Sequence, residues 1–272
     1  KLGSIAISRL TAPIAIAALK PLEQKGHLET VKRTAQLLNE IMNFSVNSGY
    51  IHANPLSGIR EVFRKSKVEH LKALKPAELA ELLQTIANAN LLLTPRCLIE
   101  WQLHTMTRPN EAAGARWEEI DFDAKLWTIP ESRMKMNREH IIPLTEHTLA
   151  ILETVKPISE QSQFVFPSSK DPQKHTDPET INKALGRMGL KGRTTGHGLR
   201  SLASTTLNEQ GFDGDVIEAA LAHVDKNQIR SAYNRTTYLE RRTKLMEWWS
   251  NHIATAAVGS LSVTAGSRKL GA

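Results

Sequence analysis

A proline-containing turn followed by a charged run divides this chain, and that division constrains the fold more than any other feature of the sequence. Asn54 precedes Pro55 and is therefore disfavoured in a helix. Residues 60–72, which follow, are rich in charge, and we interpret them as a linker. The sequence therefore predicts three parts, which are residues 1–66, 67–252 and 253–272.

Hydrophobic spacing predicts that both large parts begin with amphipathic helices. The first stripe repeats at helical spacing and ends at Gly49, where a helix would stop. Its members are Val31, Ala35, Leu38, Ile41 and Met42. The second part has the same spacing at Leu79, Leu82, Leu83 and Ile86. A further helix is expected through residues 94–106, with Cys97 in its buried face.

The pattern changes in the middle of the second part. Two short β-prone runs, residues 126–130 and 140–144, flank a polar segment, which is typical of a hairpin. The tip of this hairpin is expected to carry Arg133, Lys135 and Arg138. Helical patterns return from about residue 178 to residue 249. The predicted fold class is mainly α with a small β-sheet, an α+β second domain.

Charge is unevenly distributed along the chain. The formal net charge is +7, and a surplus of six positive charges falls within residues 1–73. An electropositive module suits a polyanion such as DNA or RNA, because each neutralised phosphate releases counterions. A solvated basic surface is the alternative interpretation of the same charges.

Several classes of protein are disfavoured by what the sequence lacks. It has no apolar run long enough for a membrane span and no charged-then-apolar leader, so a cytoplasmic protein without a membrane partner is expected. Cys97 is the single cysteine and is expected to be an inert core thiol. No metal-binding spacing and no glycine-rich nucleotide loop occur, so neither metal nor cofactor is expected. Ser201 and Ser204 lie near His197 but in no GxSxG elbow, which disfavours a serine hydrolase.

Four places hold polar residues that an ordinary fold would not require. Arg108 stands before a proline suited to the first turn of a helix, where a phosphate would be held well. His197 and Arg200 are three residues apart and share one helical face. His223 is expected at a helix end, and Lys135 on the hairpin. Each residue alone also has a structural interpretation, as a helix cap, a dipole partner or a solvated lysine.

Taken in order, these residues resemble a known catalytic signature. The set is Arg108, Lys135, His197, Arg200, His223 and Tyr233. It resembles that of tyrosine recombinases, the phage integrase family. The sequence segments TRPNEAAGARW, HGLRSLAST and SAYNR resemble those of integrases of satellite phages and genomic islands. The resemblance covers roughly residues 28–250.

The resemblance implies a helical DNA-clamping domain, a linker and a catalytic domain. It implies that Tyr233 attacks a DNA phosphate to give a 3′-phosphotyrosyl bond, with no ATP or metal. Arg108 and Arg200 would stabilise the phosphorane, and Lys135 would protonate the leaving 5′-oxygen. His197 and His223 would carry protons or donate to the phosphate. A tyrosine has an ordinary pKa of about 10, so neighbouring cations would assist its reaction.

Two tyrosines compete for the nucleophile's role. On a helix, five residues advance about 500°, so Tyr233 and Tyr238 could not both face one phosphate. Tyr233 follows His223 at a spacing similar to that of the family, and SAYNR matches the family motif. We therefore assign the nucleophile to Tyr233 and expect Tyr238 to pack beside Leu239 or Trp248 as a structural aromatic.

The resemblance also implies partners and an assembly. The expected partners are double-stranded DNA attachment sites and accessory DNA-bending proteins, and the expected assembly is a homotetramer on two DNA sites. The tail, residues 253–272, is the candidate segment for docking on the next subunit, with IATAAV as its apolar part. The first domain is expected to lack its start, since no initiator methionine is present. A catalytically silent DNA-binding regulator and a type IB topoisomerase are the alternative functions.

Overall fold

The chain divides into two units near residue 70. The computed structural model describes residues 2–65, 73–223 and 238–257. The first unit lies within Lys1–His70 and the second within Leu71–Ala272. Each unit has its own hydrophobic core.

The first unit is built on two helices. Helix α1 spans Ala12–Gln24 and α2 spans Leu28–Asn47, and two 3-10 helices span Ile7–Arg9 and Ile59–Val62. After α2 the chain turns at Gly49, whose φ of 76° is in the left-handed region that glycine tolerates, as the sequence predicts. The core takes its largest side chains from both helices and from the segment that follows them: Leu19, Val31, Met42, Leu56, Ile59 and Phe63.

One member of the predicted α2 stripe is misplaced. Val31, Ala35 and Met42 are buried, but Ile41 is 42% exposed. Ile41 belongs instead to a second apolar row with Leu37 and Phe44, which are also exposed. The prediction is wrong for Ile41 because the helix is apolar over a wider arc than its core contact covers.

The predicted linker is wrong at its beginning. Phe63 is buried in the first unit's core, and the backbone N–H of Arg64 donates to Glu23 Oε1 at 2.8 Å. Residues 60–65 are therefore part of the first unit. The rest of the predicted linker, residues 66–72, lies outside the described residues.

The second unit contains most of the helices. Its helices are α3 Leu79–Asn88, α4 Leu93–Thr105, α5 Pro109–Ala113, α6 Glu146–Ser159, α7 Glu179–Leu185, α8 Gly196–Glu209, α9 Gly214–Ala220 and α10 Leu239–Ala256. Shorter turns are the 3-10 helices Pro76–Glu78, Trp117–Glu119 and Glu131–Arg133 and the π-helix Gly186–Leu190. The predicted stripe is buried on α3, and the fold class is confirmed as mainly α with a small sheet.

The sheet has three antiparallel strands in the order β1-β2-β3. The strands are β1 Ile120–Asp121, β2 Leu126–Ile129 and β3 His140–Pro143. Leu126 pairs with Pro143 and Ile129 with His140, which confirms the predicted hairpin. The connection between β2 and β3 carries Lys135.

Aromatic side chains and the last helix close the core of the second unit. The rings of Trp101 on α4 and Trp127 on β2 lie 5.0 Å apart. Trp249 on α10 is fully buried, and its indole N–H donates to Leu103 O at 2.8 Å. Cys97 is buried, and burial raises the pKa of its thiol to about 12, as expected of an inert core thiol.

The end of α10 corrects the prediction for the tail. Ile253, Ala254 and Ala257 are all fully buried in their own subunit. Residues 253–257, which make up most of the apolar part of the predicted docking segment, are therefore packed within the chain. Residues 258–272 lie outside the described residues.

Neither a spanning helix nor a metal cluster is found in the described residues. Among residues 2–65, 73–223 and 238–257, every helix is too short or too polar to cross a membrane. The same residues contain no group of three or more His, Cys, Asp or Glu side chains placed to hold a metal ion.

Candidate active site

Arg108 lies at the start of α5, as its position before Pro109 predicts. Its backbone N–H donates to Glu111 Oε2 at 2.8 Å, and Nη1 donates to Glu111 Oε1 at 2.7 Å. Helix α5 is short, and Glu111 already caps its start. A phosphate could instead meet the Arg108 guanidinium, whose side chain is 22% exposed.

Arg200 is the most deeply buried cation of the site. It lies on α8, whose first turn is capped by Thr195 Oγ1, which accepts from the Gly198 N–H at 3.0 Å. The guanidinium is held by backbone carbonyls, with Nη1 donating to Met106 O and Nη2 to Leu221 O at 2.7 Å. Burial, and then the charge of Arg108, lower the pKa of Arg200 to about 10, which leaves it positively charged at neutral pH.

The two arginines hold two unusual turns. Met106 and Ala222 both have left-handed backbones, with φ of 54° and 50°. Such a conformation costs on the order of 1 kcal/mol or more for a residue with a side chain. The carbonyl of Met106 accepts from Arg200, and that of Ala222 accepts from Arg108 Nη2 at 3.3 Å. The guanidiniums thereby fix the chain that precedes Arg108 and the chain that precedes His223.

His223 follows the end of α9 and contacts Arg200. Its Nε2 lies 3.4 Å from Arg200 Nη2, and its Nδ1 lies 2.8 Å from Glu218 Oε2. A guanidinium can only donate, so Nε2 is the acceptor and Nδ1 carries the hydrogen that Glu218 accepts. The backbone N–H of His223 also donates to Glu218 O at 3.0 Å. Glu218 on α9 therefore holds His223 in its orientation through both its side chain and its backbone.

His197 shares the electrostatic field of these groups. It is the second residue of α8, and its side chain is more exposed than that of Arg200. Partial burial, and then the charges of Arg200, Arg108 and His223, lower the pKa of His197. The imidazole is therefore neutral at neutral pH and can accept a proton. The structure brings together Arg108, His197, Arg200 and His223 of the six predicted residues.

Close packing of two helix starts explains part of this convergence. Gly196, at the start of α8, has no room for a side chain, since a Cβ there would lie 3.1 Å from Pro109 Cγ. Gln102 joins the same two segments, because its Nε2 donates to Thr107 O at 3.1 Å and to Gly196 O at 2.7 Å. The residues before Arg108 and before His197 are thereby fastened to α4.

Lys135 makes no polar contact with this cluster, and Tyr233 lies outside the described residues. Lys135 is exposed on the hairpin connection, and it has no hydrogen bond or ion pair with any residue that the structure describes. Tyr233 falls within residues 224–237, which lie outside the described part. Tyr238 caps α10 and is partly buried against the core, with the Arg241 guanidinium 5.5 Å from its ring centre.

Two residues near the site, His140 and Arg242, were not singled out in the sequence, and Arg133 was expected only as part of the hairpin tip. His140 begins β3, is buried and bonds to the backbone of Ala220. Burial, followed by the charges of Arg242 and Arg200, lowers its pKa to about 3. Arg242 on α10 is also buried and donates to Ile141 O. Arg133, expected at the hairpin tip, folds back onto Glu119 instead. One signal in the sequence indicated the burial of His140, namely that it begins an apolar β-prone run at a position that faces inward.

Comparison with protein families identifies two matching regions. Residues 72–240 match the model of the phage integrase family, and residues 1–62 match that of the phage integrase central domain. The chain is 48% identical over 263 residues to prophage integrase IntA of Escherichia coli K12, covering 97% of this chain and 64% of that protein. It is 32% identical over 268 residues to the integrase of Enterobacteria phage P4, covering 93% of this chain and 61% of that protein. The chain thus spans less than two thirds of these relatives.

Solved structures share the fold at low sequence identity. A lambda integrase fragment, residues 75–356, solved as a dimer bound to a COC′ core site, has a TM-score of 0.62 and 19% identity and covers 85% of this chain and 81% of that chain. The Tn1549 transposon integrase in complex with circular intermediate DNA has a TM-score of 0.63 and 18% identity and covers 90% of this chain and 88% of that chain. A lambda integrase tetramer bound to a Holliday junction has a TM-score of 0.62 and 18% identity and covers 81% of this chain and 66% of that chain.

Proposed function

Because the chain belongs to the phage integrase family of tyrosine recombinases, we propose that it cuts and rejoins DNA at specific sites through a 3′-phosphotyrosyl intermediate. The reaction would integrate and excise a mobile element. One observation carries the proposal: three separate segments place Arg108, His197 and His223 around the buried guanidinium of Arg200, which shares α8 with His197.

The first part of the mechanism is stabilisation of charge on phosphorus. The pentacoordinate transition state carries more negative charge on its non-bridging oxygens than the ground state does, so fixed cations favour it selectively. Arg200 is held by the carbonyls of Met106 and Leu221, and Arg108 by Glu111 and Ala222 O. Guanidiniums fixed before DNA binds need little reorganisation during the reaction.

The second part is the exchange of one ester bond for another. Tyr233 Oη attacks phosphorus, and the P–O5′ bond breaks as the P–Oη bond forms. The phenolic proton passes to the neutral imidazole of His197, whose lowered pKa supports that role. The leaving O5′ takes a proton from the Lys135 ammonium. His223, fixed by Glu218, helps to orient Arg200. The 5′-hydroxyl of another strand reverses the step, so bond energy is conserved without ATP, metal or other cofactor.

The first unit is proposed to hold the DNA duplex. It contains a cleft of about 740 Å³ between α2 and the segment 58–65. Four cations line this cleft together with the carboxylates of Glu40 and Glu61, and these cations are Lys32, Arg60, Arg64 and Lys65. Cations that meet phosphates at such a surface supply affinity that does not depend on base sequence. We propose a DNA-binding domain, residues 1–66, and a catalytic domain that was predicted to span residues 67–252 and that also includes residues 253–257, because Ile253 and Ala257 lie in its core.

A tetramer on two DNA sites is proposed as the active assembly. Lambda integrase forms a dimer on a core site and a tetramer on a Holliday junction, and this chain shares its fold. Residues 253–257 are used within the chain, so residues 258–272 are the remaining candidate for docking on a neighbour. We propose that the protein works on bacterial DNA in the cytoplasm, assisted by DNA-bending proteins.

Trapping of a covalent complex tests this function. The probe is a nicked duplex that carries the direct repeat flanking the gene, in which the cleaved strand loses a short fragment and cannot be religated. We expect a protein–DNA adduct that survives denaturation and is absent in Tyr233→Phe. DNA binding without adduct would favour the silent regulator. Adduct formation without exchange between two marked sites would favour a topoisomerase.

A further inference from the structure

Arg133 has more fixed contacts than any other residue of the hairpin connection among those described. It precedes Lys135 by two residues and ends the 3-10 turn Glu131–Arg133. Nη1 lies 2.6 Å from both carboxylate oxygens of Glu119, and Nη2 donates to Glu111 O at 3.0 Å. The side chain therefore ties the connection to α5, whose first turn bears Arg108.

The partner of Arg133 is itself held rigidly. Glu119 is buried, and its Oε2 also accepts from the indole N–H of Trp127 at 3.0 Å and from the backbone N–H of Arg116 at 3.2 Å. Trp127 pairs with Ile142 across the hairpin. The carboxylate thus fixes the guanidinium against both the sheet and the segment that precedes it.

The end of α5 leaves space for this guanidinium. A Cβ placed on Gly114 would lie 2.9 Å from Arg133 Nη2, too close for an undisturbed contact. A larger residue at this position would require the guanidinium to shift. Glycine at position 114 therefore leaves open the space that the Arg133 guanidinium occupies.

The turn that carries Lys135 begins directly at this anchor. The Met134 N–H donates to Glu131 O at 3.0 Å, and the Asn137 N–H donates to Met134 O at 3.1 Å. Met134 is buried, whereas Lys135 is exposed. Because Lys135 makes no polar contact of its own within the described chain, its position depends on what holds the residues just before it.

We propose that Arg133 is a positioning residue for Lys135, holding the turn 134–137 against α5 so that the ammonium can protonate the leaving 5′-oxygen. The inference rests on the proposed function and adds a residue that acts through Lys135. A purely structural ion pair would have the same contacts but would affect every step of cleavage equally. Substrates that differ only in their need for a proton separate these cases.

The experiment compares two substrates with the full chain. One is the ordinary nicked duplex, and the other has a 5′-bridging phosphorothiolate, whose sulfur leaves without protonation. Arg133→Lys keeps a cation beside Glu119 but cannot also reach Glu111 O. We expect it to lose about tenfold or more in cleavage of ordinary DNA and to stay within about threefold of the unsubstituted protein on the phosphorothiolate.

Two variants serve as references. Lys135→Ala should show the same rescue, and Arg133→Lys combined with Lys135→Ala should lose no more than Lys135→Ala alone. Arg96→Lys is the matched control, since Arg96 also donates to backbone carbonyls, those of Ile86, Ala87 and Ala89, but does not touch the hairpin. It should affect both substrates alike, and thermal unfolding reports whether each variant is folded.

The outcomes separate a failure of the inference about Arg133 from a failure of the proposed mechanism. Equal losses on both substrates for Arg133→Lys, with Lys135→Ala rescued, would overturn the inference and leave the proposed mechanism intact. Equal losses for Lys135→Ala would remove Lys135 as the acid, and the inference with it. If Arg133→Lys does not fold, Gly114→Ala displaces the guanidinium without removing its charge, and the same comparison decides.

Discussion

The two units use their cations in opposite ways. In the first unit the side chains of Lys32, Arg33 and Arg64 are 47%, 81% and 68% exposed, and their ion pairs are long or shared. In the second unit, Arg200 is 3% exposed and is held by backbone carbonyls. Exposed cations on flexible stems attract a polyanion but are screened by salt, whereas a buried, fixed guanidinium is able to favour one transition state. Under the proposed function, this difference assigns DNA affinity to the first unit and catalysis to the second.

The largest effect is expected from removing the buried guanidinium. Arg200→Ala should lower single-turnover cleavage by roughly 10²- to 10³-fold, because one fixed donor to the transition state is lost. It should also lower the free energy of unfolding by about 1–3 kcal/mol for each carbonyl left without its donor, those of Met106 and Leu221.

Arg200→Lys refines this test because lysine keeps the positive charge but lacks the planar guanidinium with its several fixed N–H donors. Its cleavage should lie between those of the unsubstituted protein and Arg200→Ala. Neither variant should be rescued by the 5′-bridging phosphorothiolate if Arg200 acts on non-bridging oxygens as proposed. Unchanged cleavage by Arg200→Ala would show that burial of this arginine has no catalytic meaning.

Lys135 should separate catalysis from stability within the second unit. Lys135→Ala should lower cleavage of ordinary DNA by on the order of 10²-fold, because the leaving oxygen loses its acid. It should change the free energy of unfolding by less than about 0.5 kcal/mol, because the side chain is exposed. Urea unfolding followed by tryptophan fluorescence is suitable, since all five tryptophans belong to the second unit. A large loss of stability would contradict this division.

The sequence predicted those elements whose determinants are local. Periodic apolar residues predicted α3, and paired β-prone runs predicted the hairpin, both of which the structure confirms. The ordered motifs predicted Arg108, His197, Arg200 and His223, whose side chains or turns the structure brings together. Their chemical roles remain a proposal.

The remaining contacts depend on partners that are distant in sequence. Arg133 binds Glu119 and the backbone of Glu111, and Arg242 binds the backbone of Ile141, about a hundred residues away. Every residue has a backbone carbonyl, so a pattern of residue types cannot show which carbonyl accepts a hydrogen bond from a distant side chain. The burial of Ile253 could have been predicted from the sequence, since Ile253 continues the helical spacing of Met246 and Trp249.

A smaller effect is expected from buried neutral histidines of the second unit. Burial lowers the pKa of His104 and of His140 from 6.5 to about 3. Between these values the unfolded chain binds protons that the folded chain does not, so the free energy of unfolding should fall as the pH decreases from about 6.5 towards 3. Each imidazole contributes a slope of about 1 kcal/mol per pH unit.

His104→Gln provides the test of this linkage. It removes one of the two imidazoles, so the slope measured by urea unfolding at several pH values should decrease by about 1 kcal/mol per pH unit. The slope is informative even if the variant is less stable at every pH. An unchanged slope would mean that His104 is charged in the folded protein.

The smallest effect is expected from a single exposed cation of the first unit. Arg60 lines the cleft beside α2, and Lys25 lies outside it. Arg60→Gln should reduce the slope of log affinity against log salt by about 0.9, as expected for one lost phosphate contact, and should leave cleavage at saturating DNA nearly unchanged. Lys25→Gln is the matched control and should leave the slope as it is. Equal slopes for both variants would remove the cleft as the DNA contact.

Peptide mapping of the trapped covalent adduct tests the central claim most directly. We assign catalysis to the convergent arginines and histidines and the nucleophile to Tyr233, whereas Tyr238 lies at the start of α10 beside Arg241. After digestion of the adduct with nuclease and protease, the residual phosphonucleotide should be attached to the peptide that contains Tyr233. Tyr238→Phe should still form the adduct. A nucleotide attached to Tyr238 would contradict the account.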